Sequence, residues 1–400
     1  MLSKSEFKKL TGIFIIWRTF LFIIGYLAQF ILKYKPSFPY YDQLALYNLP
    51  QWLYSWANFD GVHYLTIIKK GYFGTGLIQA FFPLFPLSIR FLNIFENPLV
   101  TGLIVSNILA FLLFISFYSF SKTFFKNNHW QNLLVFILFP TSFFLGAFYT
   151  ESLFLILVLN TFIQSHHRNW FRAGLLAALA SGTKVVGILL IPSLIIGYFF
   201  GEKKLGELIN DIKNKNTRKK LISSLTNKLN LKSVRPLSLI IVGSFGLLSY
   251  MFYLWQKFDD PLYFFHVQSE FGGGRQENLI LYPQVVYRYL KILITARPFD
   301  FKYLAYIQEF ISGTIGLILI LYSSKKIKLS HLIFVLGAFF VPTLTGTFSS
   351  MGRYILVCWP IFFVISDWLK NKKIRYLYFI ISTLFLVINT VLFIQGYWVA

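Results

Sequence analysis

Apolar runs of two lengths alternate along this chain, separated by short polar breaks. Runs over 12–32, 98–120, 236–256, 305–322 and 377–396 are close to membrane-spanning length. A helix rising 1.5 Å per residue needs roughly 20 residues to cross a hydrocarbon core of about 30 Å. Shorter runs over 131–148, 150–164, 171–183, 185–200, 331–348 and 354–369 are read as further spans. Residues 81–97 contain Pro83 and Pro86 and predict a broken or half-inserted segment. The pattern predicts an all-α, polytopic transmembrane protein of about 10–11 spans, a single integral membrane domain over 1–400. The strict alternation of a β-barrel is absent. Arg18 lies in the first run and no small-residue cleavage site follows it, so this run is expected to be a retained helix and not a signal peptide.

The breaks set the orientation. Lys4, Lys8 and Lys9 precede the first run, and Lys122 with Lys126, Arg168 with Arg172, Lys325 to Lys328 and Lys370 to Arg375 fall on the same side. So does 201–235, where ten basic residues stand against Glu202, Glu207 and Asp211. Basic loops mark the inner side of a membrane. The longer breaks 33–80 and 257–304 then become outer loops, expected to carry short interfacial helices. The same assignment gathers four unusual segments on the outer face: Asp60-Gly61-Val62-His63, Tyr149-Thr150-Glu151-Ser152, Ser181-Gly182-Thr183-Lys184 and Ser349-Ser350-Met351-Gly352-Arg353.

Composition agrees: 56% of residues are hydrophobic, 20% aromatic and 13% charged, with mean hydropathy +0.61. The net charge of +23 is read as an orientation signal and an attraction to membrane lipids, not as a nucleic-acid surface, because it concentrates in loops of one side. A lone cysteine, Cys358, excludes a disulfide within the chain. No internal repeat, glycine-rich phosphate loop or metal-ligand spacing is found, and His166-His167 fall on the basic side. No metal and no cofactor are expected.

Isolated charges between apolar segments carry the candidate chemistry. Asp60, flanked by Phe59 and His63, is placed to be a general base toward a hydroxyl, or else to cap the helix that follows it. Glu151 at a helix end needs a cation, and Arg353 and Lys184 on the same face supply candidates. Those cations suit a lipid phosphate, or simply snorkel to the interface. In the second outer loop Gln268 and Arg275 flank Gly272-Gly273-Gly274, a segment able to close on a substrate or to form an ordinary turn.

Taken in order, Phe59-Asp60-Gly61-Val62-His63-Tyr64 with Gly71-Tyr72, Phe81-Phe82-Pro83-Leu84-Phe85-Pro86, Pro140-Thr141-Ser142-Phe143-Phe144, Tyr149-Thr150-Glu151-Ser152, Asp260-Pro261 with Gln268, and Arg353-Tyr354 with Pro360 resemble the PIG-V family. That family comprises the second mannosyltransferase of GPI-anchor assembly and its prokaryotic relatives, within the GT-C class of glycosyltransferases. The resemblance implies a multi-pass enzyme with its site on the outer face. It would invert the configuration of a hexose, mannose in this family, taken from a polyprenyl-phosphate donor. The acceptor would be a hydroxyl on a lipid, glycan or protein. Asp60 and Glu151 would be catalytic, and His63, Lys184, Gln268, Arg275 and Arg353 would bind substrate. Eukaryotic relatives carry an arginine followed by Ser-Asn-Gly at the segment matching Gly182-Thr183-Lys184, so the cation differs here. The compact chain suggests a prokaryotic-type homologue in a plasma membrane, with an acceptor other than a GPI precursor. The alternative from a different class is a lipid or ion transporter without transferase activity.

Overall fold

The computed structural model describes residues 2–93, 96–126, 128–228, 231–271, 274–276, 278–298 and 300–399, with only the backbone of residues 227 and 231–233. The described residues are mostly helical, with no strand. Among the described residues five helices are long and apolar enough to cross a membrane: Lys4–Ile31, Pro98–Phe124, Val234–Phe258, Phe301–Ser323 and Lys372–Ile394. Each contains a long run seen in the sequence or overlaps most of it. Two bent pairs bring the number to seven if each is a single span: Val185–Phe200 with Leu205–Lys213, bent by 50°, and Met351–Val357 with Pro360–Trp368, bent by 88°.

The shorter runs are helices that stop early. Residues 131–148 were expected to form one span, but the helix His129–Ile137 ends ahead of Pro140 and passes into a short 3-10 turn, Ser142–Gly146. Proline has no N–H to continue a helix and crowds the preceding turn. The run 354–369 breaks at Cys358–Trp359, where Pro360 begins a new helix. Trp170–Ser181 has 12 residues and is about 18 Å long, well short of a hydrocarbon core. Membrane-depth backbone that leaves a helix must be buried in protein or line a cavity. The breaks at Gly146–Thr150, Gly182–Lys184 and Thr345–Ser350 all meet that condition, because they converge on one cavity.

Local sequence explains the helix starts. Ser3 and Glu6 form a capping box, Asn97 accepts from Val100 N–H with Pro98 in the first turn, and Asn371 and Asp300 cap the last two long helices. Helix Glu151–His166 packs between Pro98–Phe124 and Trp170–Ser181, and Lys4–Ile31 lies against Lys372–Ile394. Aromatic rings fill the core, with Phe117 stacked on Phe136 at 4.3 Å and Phe125 on Phe363 at 3.9 Å. Small residues allow backbone-to-backbone approach at one seam. A Cβ on Gly174 would strike the Leu239 carbonyl, and one on Gly246 the Ala178 carbonyl.

Candidate active site

Asp60 owes its position to the backbone before it. Phe59 adopts φ 59°, ψ −114°, a conformation unfavourable for a residue with a side chain. Packing against Phe38, Phe393 and Trp398 at centroid distances of 4.5, 5.8 and 5.6 Å holds it there. The helix Asp60–Lys70 then starts at Asp60 itself. Its backbone N–H donates to the Tyr149 hydroxyl at 3.2 Å, and that hydroxyl donates to the Asn58 carbonyl at 2.9 Å. Asn58 in turn donates to the Phe393 carbonyl at 2.8 Å. The Asp60 carboxylate makes no cap. It takes Arg353 Nη1 at 2.5 Å, so the capping role offered by the sequence is not the one the side chain plays.

That pair continues into a line of alternating charge. Arg353 Nε lies 3.5 Å from Glu151 Oε1, and the same oxygen accepts from Lys184 Nζ at 2.7 Å. Side-chain exposure is 24% for Asp60, 9% for Arg353, 1% for Glu151 and 17% for Lys184. The two cations balance the two acids, as burial requires. Among the described residues Glu151 Oε2 has no hydrogen-bond partner. Arg353 also lies over the rings of Phe144, Tyr149 and Tyr354, at 5.5, 5.3 and 5.3 Å.

The segments flagged in the sequence hold this line in place. Thr141 donates to the Gly352 carbonyl at 2.6 Å, beside Arg353. Tyr64 meets Thr150 Oγ1 at 3.4 Å, and Ser152 donates to the Leu145 carbonyl at 2.6 Å. Asp260 is different: its carboxylate takes His266 Nδ1 at 2.6 Å and the Leu262 N–H at 2.8 Å, within its own loop.

All of this borders a cavity of about 770 Å³. Asp60, His63, Lys184, Gln268, Arg275 and Arg353 line it, while Glu151 sits behind the wall next to the lining residue Thr150. Gln268 Oε1 accepts from Arg275 Nη1 at 3.1 Å. Gly272 and Gly273, expected to form a mobile loop, lie outside the described residues. Arg288 and Lys302 add to the lining, which makes cations outnumber acids and suits an anionic ligand. Another part of the wall is apolar, built by Val185, Val186, Ala338, Val341, Pro342 and Val357. Among the described residues no group of three or more His, Cys, Asp or Glu side chains is arranged to hold a metal.

Glu309 is a site residue that the sequence reading missed, as are Arg288, Lys302 and Trp398. It is buried in the helix Phe301–Ser323 and lines the cavity, accepting from Tyr289 Oη at 2.7 Å and from Ser350 N–H and Trp398 Nε1 each at 3.1 Å. An acid inside a spanning run was the available signal.

His63 is half-buried and stacks on Phe81, ring centroids 4.9 Å apart, and its Nδ1 has no hydrogen-bond partner among the described residues. Burial lowers its pKa from 6.5, opposed in part by the charge of Asp60. The folded value therefore lies below the unfolded one, and neutral His63 contributes stability that is complete above the unfolded pKa. That contribution is lost as pH falls from 6.5 through the lowered value. Melting temperatures at pH 7.5 and 5.5 should show a smaller acid loss in His63→Phe than in the parent. Equal losses would mean that His63 has the same pKa in the folded and unfolded chain.

Comparison of the chain with family models, with curated proteins and with solved structures found no match.

Proposed function

We propose that the protein is a membrane glycosyltransferase, moving a hexose, mannose by the resemblance noted above, from a polyprenyl-phosphate donor to an acceptor hydroxyl. The observation that carries this reading is the Asp60–Arg353 pair on the wall of a cavity that is cationic in one part and apolar in another. A lipid-linked sugar phosphate has the matching parts. Its isoprenoid fits the Val185, Val341 and Pro342 side, and its phosphate fits Arg353, Lys184 and Arg275.

The pair also bears on the transfer step. Arg353 donates to the Asp60 carboxylate. A phosphate dianion or diester competes for the guanidinium and leaves Asp60 free to accept a proton. The acceptor oxygen then forms a bond to the anomeric carbon, the bond from that carbon to the phosphate oxygen breaks, and the electron pair leaves on the lipid phosphate. The acceptor proton passes to Asp60. Charge growing on the leaving phosphate is met by cations fixed in a partly dry site. Glu151 holds Arg353 and Lys184 in place for that task.

Purified protein incubated with polyprenyl-phosphate hexoses should release the lipid phosphate in step with a new glycoside. A transporter would bind the same lipid and return it intact, so an unconsumed donor would remove the transferase reading. Sidedness follows from the same proposal. With Cys358 replaced, cysteines at the exposed positions Leu46 and Leu279 should react with an impermeant thiol reagent added outside, and one at Ser223 should not. The reverse pattern would put the site on the inner face.

A further inference from the structure

Trp398 brings to the cavity a side chain that the transfer chemistry leaves unused. It is half-buried and borders the cavity. Its place is fixed from several directions. The indole Nε1–H donates to Glu309, whose carboxylate is itself held by Tyr289 and by the Ser350 N–H. The ring meets Phe59 edge-on, at 5.6 Å and 79°. Its segment is tied to the first polar break: Lys35 N–H donates to the Gln395 carbonyl and Ser37 N–H to the Gly396 carbonyl, both at 2.9 Å. Gly396 has φ +81°, and a Cβ there would press on Pro36, so the tie depends on glycine.

Two consequences follow. Trp398 and Asp60 both line the cavity, and both line a second, small pocket with Phe59 and Arg353, so a ligand on the indole lies near the Asp60 carboxylate. An indole whose one donor is already engaged offers only apolar ring surface. Next to the charged Asp60–Arg353 part of the wall, that surface suits a flat ligand with C–H groups on its face and hydroxyls at its rim. A pyranose has that form. An isoprenoid chain, lacking hydroxyls, is better placed on the valine and proline wall.

We infer, resting on the reading of a hexose substrate, that Trp398 is the stacking platform for a hexopyranose ring beside Asp60 and that Glu309 is the positioning residue that fixes it. The ring belongs to the donor or to the acceptor, and the two sources are separated by the probes used.

The test is a fluorine NMR spectrum of the full chain in detergent, labelled with 5-fluorotryptophan, with the Trp398 resonance assigned by Trp398→Phe. Three probes are added in turn: a short-chain prenyl-phosphate hexose, a methyl hexoside, and the prenyl phosphate without sugar. The Trp398 resonance should move with the first probe if the ring is the donor's, or with the second if it is the acceptor's, and not with the third. Trp398→Ala should weaken binding of that probe about tenfold. Glu309→Ala should shrink the shift and weaken binding comparably. Glu309→Gln, which keeps an oxygen for the indole N–H, should restore most of both. The unperturbed resonances of the other tryptophans report that each variant is folded.

If the prenyl-phosphate hexose binds, as seen in its own phosphorus line, and Trp398 responds to neither sugar probe, the platform is overturned while the transferase reading stands. If that donor does not bind but the hexoside shifts Trp398, the platform stands and the transferase reading falls. A shift equal to that caused by sugar-free prenyl phosphate, or no shift and no binding, overturns the platform.

Discussion

Asp60→Asn should lower transfer by about a hundredfold or more while the protein stays folded. Asparagine keeps the size of the side chain and an oxygen for Arg353 but cannot take the acceptor proton. The fold should survive because Arg353 retains Glu151 at 3.5 Å, and because Asp60 is held through its backbone N–H, which the substitution leaves on Tyr149. Initial rates of lipid-phosphate release, measured beside the melting temperature, check this. Near-normal turnover in a folded Asn variant would show that Asp60 only pairs with Arg353. Asp60→Glu makes a useful companion. It keeps the base but places it one methylene further along a side chain pressed on a fixed guanidinium, so it should recover part of the rate.

The sequence made the long elements readable and the broken ones hard to place, and the reason is physical. Hydropathy reports which residues avoid water, and it does not report whether their backbone is helical. Residues 131–148 stay apolar after the helix His129–Ile137 has ended, because the 3-10 turn Ser142–Gly146 is buried as deeply as the helix before it. Pro140 was the visible marker, and Asn389 donating to its carbonyl at 3.1 Å is the tertiary contact that no local reading supplies.

The candidate site was readable to the extent that its charges stand alone. Asp60, Lys184 and Arg353 each interrupt apolar sequence, and a charge that interrupts apolar sequence must find a partner. The structure joins them through Glu151. Glu309 escaped because it lies just inside the run 305–322 and was absorbed into a span. Trp398 escaped because a residue following an apolar run looks like an interfacial anchor. Its contacts with Glu309 and Phe59 depend on segments almost 90 and more than 300 positions away.

Arg353 carries the second large expectation. Arg353→Ala should raise the barrier to transfer by roughly 2–4 kcal/mol, as when a preorganised group facing growing negative charge is removed. It should also destabilise the fold, because the buried line then holds Asp60 and Glu151 against Lys184 alone. Counting charge separates the two effects. Arg353→Lys keeps the line neutral but lacks the planar fork that reaches Asp60 through Nη1 and faces Glu151 through Nε. It should therefore keep most of the stability and lose part of the rate. The double variant Arg353→Ala, Glu151→Gln is neutral again, with Asp60 and Lys184 remaining. Its melting temperature should recover toward the parent value while its turnover stays low. If turnover recovers with stability, Arg353 serves only to balance Glu151 and Asp60, and the leaving phosphate must be met by Lys184 and Arg275 instead.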